Sequence, residues 1–339
     1  MNFFWTLPVL AGASLLLTWL LRRYALAASL IDTPNARSSH TIPTPRGGGV
    51  SIVLCFLLTV PALALAGLVS WAWAWALLGA GAGVAVLGFM DDHGHIAARW
   101  RLLGHFSGAI WALLFIGGLP PVVFFGHSVE LGWFGHVIAV LYLVWLLNLY
   151  NFMDGIDGIA SVEALCVCLG MCAIYWLAGA EQLVWLPLVL SMAVLGFLFW
   201  NFPPARIFMG DAGSGFIGVT LGVLSLQAGW VSSQLLWAWL VMLGVFIVDA
   251  TFTLIRRLIR GDKVYEAHRS HAYQFASRRF GRHRPVTLAV LTINMIWLFP
   301  IAVCSVLFDI EGVLAVFVAY LPLVFLAFKF HAGEKERAA

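Results

Sequence analysis

Residues 47–92 read GGGVSIVLCFLLTVPALALAGLVSWAWAWALLGAGAGVAVLGFMDD, which is 44 residues without a charged side chain followed by two adjacent aspartates. A helix crosses the roughly 30 Å hydrocarbon layer in about 20 residues. The stretch therefore holds two spans, divided near Pro61 to Ser70, and delivers Asp91 and Asp92 to a membrane boundary. Outward from it the pattern repeats. Charge-free runs cover 1–21, 102–129, 131–153, 182–205, 212–248, 285–308 and 312–328, and the run 212–248 is long enough to divide again near Gln227 to Ser233. With the apolar segment near 160–179 this predicts an all-α polytopic membrane protein of about eleven transmembrane helices, a single integral-membrane domain over 1–339.

Composition agrees. The chain is 62% hydrophobic and 10% charged, with a mean hydropathy of +0.95; soluble domains carry about one quarter charged residues. A water-soluble globule is excluded, and a net charge of +3 is too small to call for a nucleic-acid partner. What matters is where the 19 Lys and Arg sit. The first span has no basic residue before it and Arg22 and Arg23 directly after it, which reads as a retained anchor rather than a cleaved signal. With the N-terminus outside, alternation puts every Lys and Arg on the cytoplasmic side, nine of them between 256 and 285. The other face holds only Glu130, Glu181, Asp309 and Glu311. That asymmetry satisfies the positive-inside rule and places the C-terminus in the cytoplasm. The Trp71, Trp73, Trp75 alternation reads as an interfacial aromatic belt, and Cys166, Cys168 and Cys172 as small buried side chains of one apolar helix.

The inner face is expected to carry the chemistry, in loops near 31–49, 91–101, 148–159, 201–215 and 256–285. Asp91 and Asp92 set two negative charges within a few ångström, which implies a bound cation or a functional proton unless they are simply a solvated helix end. In Asn148-Leu-Tyr-Asn151-Phe-Met-Asp154-Gly-Ile-Asp157-Gly158, the first three polar residues are three apart and share a helical face. Asn201 to Ser214 contains Phe208, Gly210 and Asp211 at the entry to the next helix, where free amides favour a phosphate or the oxygen ligands of a cation. Oxygen-only ligation points to Mg²⁺ or Mn²⁺. Arg46, beside Gly47 to Gly49, is placed to grip a phosphate. In the basic stretch, His268 and His271 suit hydrogen-bonding a phosphate or moving a proton. Asp249, an aspartate placed within a span, is expected to pair toward the basic loop. Carboxylates that gather a hard cation beside Arg and His at a bilayer edge describe phosphoryl transfer to or from a lipid.

Asp91-Asp92, Asn148 to Gly158, Asn201 to Ser214 and the late histidine loop, in this order on one face, resemble the polyprenyl-phosphate N-acetylhexosamine-1-phosphate transferases, the family of MraY and WecA. The resemblance implies transfer of a sugar 1-phosphate from a UDP-N-acetylhexosamine to undecaprenyl phosphate, with release of UMP and a need for Mg²⁺, at the cytoplasmic face of a bacterial inner membrane. It implies Asp211 and Asp92 as metal ligands, Asp91, Asp92, Asp154, Asp157, His268 and His271 as catalytic residues, and Arg46, Asn151, Asn201, Phe208 and Lys263 as substrate-binding residues, with Phe208 stacking on uracil and Asp91 a proton acceptor. A homodimer stays open. Two departures stand out. The family's DDxxK-like motif reads DDHGH, so His95 stands where a permanent cation is expected, and the late loop reads His268-Arg-Ser-His271-Ala-Tyr-Gln274. The second departure is more similar to the WbpL-like branch that starts O-antigen units, with donors such as UDP-N-acetylfucosamine, UDP-N-acetylquinovosamine or UDP-N-acetylglucosamine, than to the muramyl-peptide branch. The rivals are an ion-coupled transporter or lipid-linked sugar flippase, whose sites lie nearer the midplane, and a CDP-alcohol phosphotransferase, whose DGxxAR signature fails because Ala160-Ser161 follows Gly158.

Overall fold

The long apolar run divides where the chain can turn. Helix α2 (Val50–Leu65) passes through Pro61 and ends before Gly67, whose φ of +73° suits glycine. Ser70 then caps α3 (Trp71–His93), accepting from the Trp73 amide. The computed structural model describes residues 3–34, 38–94, 96–263 and 268–335, so His95 lies outside the described residues.

In chain order the helices are α1 (Thr6–Ala27), α2, α3, α4 (Ala98–Ile116), α5 (Gly132–Met153), α6 (Ile159–Leu177), α7 (Trp185–Asn201), α8 (Asp211–Val231), α9 (Ser233–Met242), α10 (Gly244–Ile259), α11 (Ala272–Phe280), α12 (Arg284–Thr292), α13 (Phe299–Leu307) and α14 (Gly312–Lys329). Two antiparallel ladders complete it: β1 (Ile31–Asp32) with β2 (Thr44–Pro45), and β3 (Val122–Phe124) with β4 (His127–Val129). The protein is all-α and polytopic. Among the described residues eight helices are long and apolar enough to cross a bilayer, and α9 with α10 makes a ninth, bent by 70°. The two remaining spans of the expected eleven fall short of that standard: α2 has 16 residues, and α4 opens with Arg99 and Arg101.

Three segments depart from straight helices. The run 102–129 is half helix and half hairpin, because Gly117, Gly118, Pro120 and Pro121 end α4 and start the β3–β4 ladder. The ninth span breaks at Leu243–Gly244 instead of ending near 248. Between α12 and α13, Ile293–Leu298 winds as a π-helix before Pro300.

Helix α8 is the axis of the fold, buried along almost its whole length. Its glycines let neighbours approach backbone to backbone, as small residues do between membrane helices; a Cβ on Gly218 would stand 2.8 Å from Leu147 Cα of α5. Helix α1 lies at the periphery, tied by Ser14 to the Ala193 carbonyl of α7 (2.6 Å) and by Thr18 to Ser51 of α2 (2.7 Å). The consequence for function is positional. The N-terminus of α8 meets the C-termini of α3 and α5 at one end of the bundle.

Candidate active site

At that end the backbone of α8 is capped from a neighbouring helix. Asp92, on the last turn of α3, accepts from the Asp211 and Ala212 amides (3.2 and 3.4 Å), where the helix dipole favours a negative charge. Gly210 makes the approach feasible. Its φ is +79°, and a Cβ there would meet Asp92 Oδ2 at 2.6 Å, so a side chain is barred by both conformation and space. From α5, Asn151 Nδ2 donates to Asp211 Oδ1 (3.0 Å) and to Ser214 Oγ (2.9 Å). From the connection before α2, Arg46 donates to the Asp92 carbonyl, and Gly48 and Gly49 donate to the Phe208 and Met209 carbonyls (both 2.9 Å). Segments 46–49, 91–92, 151–157 and 208–214 thus close on one another.

They enclose an open cavity of about 280 Å³. Of the residues expected from the sequence, Arg46, Asp92, Asn151, Asp154, Asp157, Asn201, Phe208 and Asp211 line it. Asn201 is only 2% exposed, and its side chain works as a fastener: Oδ1 accepts from the Gly158 amide (3.0 Å) and Nδ2 donates to the Ile207 carbonyl (3.1 Å). Asp157 accepts from the Ala205 amide (3.0 Å) and stands 3.1 Å from His283 Nδ1. Asp154 has no donor on its carboxyl among the described residues. Burial, together with the facing carboxylates of Asp211, Asp92 and Asp157, raises its pKa well above the ordinary value.

Asp91 lies just behind the cavity. Arg101 of α4 donates to its carboxylate and comes within 3.7 Å of Asp211, and the Ile96 amide donates to it at 2.8 Å. Asn148, one turn deeper in α5, donates to the Val144 carbonyl and does not reach the cavity. His268, His271 and Lys263 also stand outside the lining. His271 is 3% exposed and packs on Asp249 (3.3 Å), whose carboxylate also accepts from the Ala272 and Tyr273 amides and so caps α11. Asp249 does pair toward the basic loop, but with α11 and His271 instead of Arg256. His268 stacks on His271 at 4.9 Å; burial, then the neighbouring His271 and Arg257, push its pKa down to about 3. Lys263 is exposed, and its carbonyl accepts from Arg257 (3.1 Å).

Structure adds residues that spacing did not single out. Arg101 supplies a cation to Asp91 from the next helix. Gln274 reaches the lining from α11, beside Tyr273, which donates to the Phe152 carbonyl (3.0 Å). His40 and His283 line it from opposite ends of the chain. The signals were present, since His283 sits in the basic stretch and Arg101 in the charged 91–101 loop. Nothing local distinguished His283 from His268 and His271.

The carboxylates of Asp92, Asp154, Asp157 and Asp211 line the cavity beside His40 and His283, and this convergence of negative oxygen donors fits a hard divalent cation. No group of three or more His, Cys, Asp or Glu side chains stands ready to hold a metal among the described residues.

Residues 74–229 match the model of the family described as "Glycosyl transferase family 4". The chain is 31% identical over 290 residues to the probable undecaprenyl-phosphate N-acetylglucosaminyl 1-phosphate transferase of Bacillus subtilis (strain 168), covering 84% of this chain and 79% of that one. It is 28% identical over 306 residues to the decaprenyl-phosphate N-acetylglucosaminephosphotransferase of Mycobacterium tuberculosis (strain ATCC 25618 / H37Rv), covering 79% and 74%. A phospho-N-acetylmuramoyl-pentapeptide-transferase of Moorella thermoacetica is 34% identical over a shorter stretch of 208 residues, covering 54% and 61%.

Proposed function

The chain belongs to glycosyl transferase family 4, the polyprenyl-phosphate N-acetylhexosamine-1-phosphate transferases, and from that premise we propose that it moves a sugar 1-phosphate from a UDP-N-acetylhexosamine to undecaprenyl phosphate, releasing UMP, at the cytoplasmic face of a bacterial inner membrane. The observation that carries the reading is the convergence of Asp92, Asn151, Asp154, Asp157 and Asp211, from three separate segments, on one open cavity at an end of the bundle.

The reaction exchanges one phosphoanhydride for another. An oxygen of the acceptor phosphate bonds to the sugar-linked phosphorus, the anhydride to the uridine-bearing phosphate breaks, and UMP leaves with the electron pair. Both reactants are anionic, so the protein must mainly hold and neutralise them in line. Arg46 is placed to grip a phosphate, and Phe208 offers a flat face to the base. Asp211 and Asp92 are the residues that would hold Mg²⁺ at the α8 N-terminus; when bound, the ion supplies charge stabilisation to the transferring phosphates. Asn151 and Arg101 fix the Asp211 carboxylate, and Asp154 is the carboxyl left to meet a cation or hold a proton. Asp91, tied to Arg101 behind the lining, acts as a positioning group.

A 6-deoxy or glucosamine-type donor, and a role in starting O-antigen or a related surface polysaccharide, follow from the late-loop sequence. The test is direct. Purified protein with Mg²⁺, undecaprenyl phosphate and a panel of UDP-N-acetylhexosamines releases UMP with at least one donor, and Asp211→Asn lowers that rate by more than about a hundredfold, the size expected when several kcal/mol of charge stabilisation are lost. Folded protein that releases no UMP from any donor overturns the proposal.

A further inference from the structure

His283 touches both the Asp154–Gly158 turn and the connection between α1 and α2. Its Nε2 donates to the Ser39 carbonyl at 3.0 Å, and its Nδ1 stands 3.1 Å from Asp157 Oδ1. The imidazole is largely buried, with 16% of its side chain exposed. It lines both the site cavity and a larger one of about 550 Å³, as do Asp157, Phe208 and His40. Each of its partners leads to another wall. Asp157 holds the Ala205 amide, and its carbonyl accepts from Thr287 of α12 (2.8 Å). Next to Ser39, the His40 ring meets Phe208 edge-on at 4.8 Å. Four pieces of chain far apart in sequence therefore meet through this imidazole, and the aromatic face of Phe208 is among what they frame.

We propose that His283 is a positioning residue for the nucleoside-diphosphate donor, fixing Asp157 and the Ser39–His40 connection as one wall of the donor cleft so that Phe208 and His40 present a preformed slot to the base. The inference rests on the donor assigned above. A preformed slot lowers the ordering cost of binding, so its loss falls on donor affinity and leaves the lipid acceptor untouched. Among the described residues, Asp91 and Arg101 share no hydrogen bond or ion pair with His283.

The experiment compares His283→Ala, His283→Gln and His283→Asn with the unaltered protein, measuring KM for UDP-sugar and for undecaprenyl phosphate, kcat, thermal unfolding, and equilibrium binding of UDP. Gln can carry an amide N–H near the position of Nε2 and keep the Ser39 contact; Asn reaches only the position of Nδ1. In His283→Ala, loss of the contacts to Ser39 and Asp157 raises donor KM and UDP Kd about tenfold, with acceptor KM within about twofold. His283→Gln recovers most of that loss and His283→Asn recovers less. The inference is overturned if His283→Ala leaves UDP binding unchanged, if His283→Gln is as impaired as His283→Ala, or if both KM values rise together with a fall in thermal stability. Failure of the transferase reading is separate: it shows as no UMP from the unaltered protein, while UDP binding still tests the role of His283.

Discussion

Asp154 shows how a single residue can be set against stability. Its carboxyl faces Asp92, Asp157 and Asp211 across the cavity, and burial with those charges raises its pKa. A carboxyl whose folded pKa lies above its unfolded value, about 3.9, contributes stability that is complete below that value and is lost as pH rises through the folded pKa. Without a divalent cation, Asp154→Asn therefore unfolds at a higher temperature than the unaltered protein at neutral pH, by about 2 °C or more, and its melting temperature varies less with pH. The same variant loses turnover. Melting curves from pH 5 to pH 8 in chelator, beside UMP release in Mg²⁺, check both halves; a lower melting temperature would show that the charge is already compensated. At this scale the sequence exposed the acidic and amide residues well, because a carboxylate beside an apolar span needs a reason. It was blind to the histidines. His268, His271 and His283 share one basic stretch, and their different positions follow from partners at Ser39, Asp157 and Asp249, which spacing does not reveal.

Between elements, the site depends on how closely α3 and α8 approach. Gly88 lies one turn before Asp92, and a Cβ on it would stand 2.6 Å from the Asp211 carbonyl and the Ala212 amide. Backbone cannot yield as a side chain can, so Gly88→Ala must separate the two helices and draw Asp92 off the α8 N-terminus. Overpacking of this kind costs about 1–3 kcal/mol. If that falls on the barrier, kcat drops roughly ten- to hundredfold, while the protein still elutes as folded. Activity near that of the unaltered protein would mean that the cap between Asp92 and α8 is dispensable. Hydropathy located the helices but not their interruptions. The β3–β4 hairpin, the 70° bend at Leu243–Gly244 and the π-helical Ile293–Leu298 are all as apolar as the helices around them. Lipid rewards apolar character whatever the backbone does, so the pattern is silent about such breaks wherever neighbouring helices bury the backbone.

For the whole molecule, charge and cavity must lie on the same side. The loops that build the cavity lie on the side to which alternation assigned all the Lys and Arg, whereas the β3–β4 hairpin, at the other end of α4 and α5, carries none. If the positive-inside rule governs insertion, the cavity opens to the cytoplasm, where a nucleotide-sugar is available. In a variant with all five native cysteines replaced, Ser128→Cys in the hairpin and Arg279→Cys at the end of α11 are both exposed positions on opposite faces. A membrane-impermeant maleimide applied to intact spheroplasts labels Ser128→Cys at once and Arg279→Cys only after permeabilisation. Reversed labelling would put the carboxylates outside, away from the donor. Labelling of both from one side would mean that the number of crossings between residues 128 and 279 is even, and the assignment of α9 with α10 as a single bent span would have to be given up first.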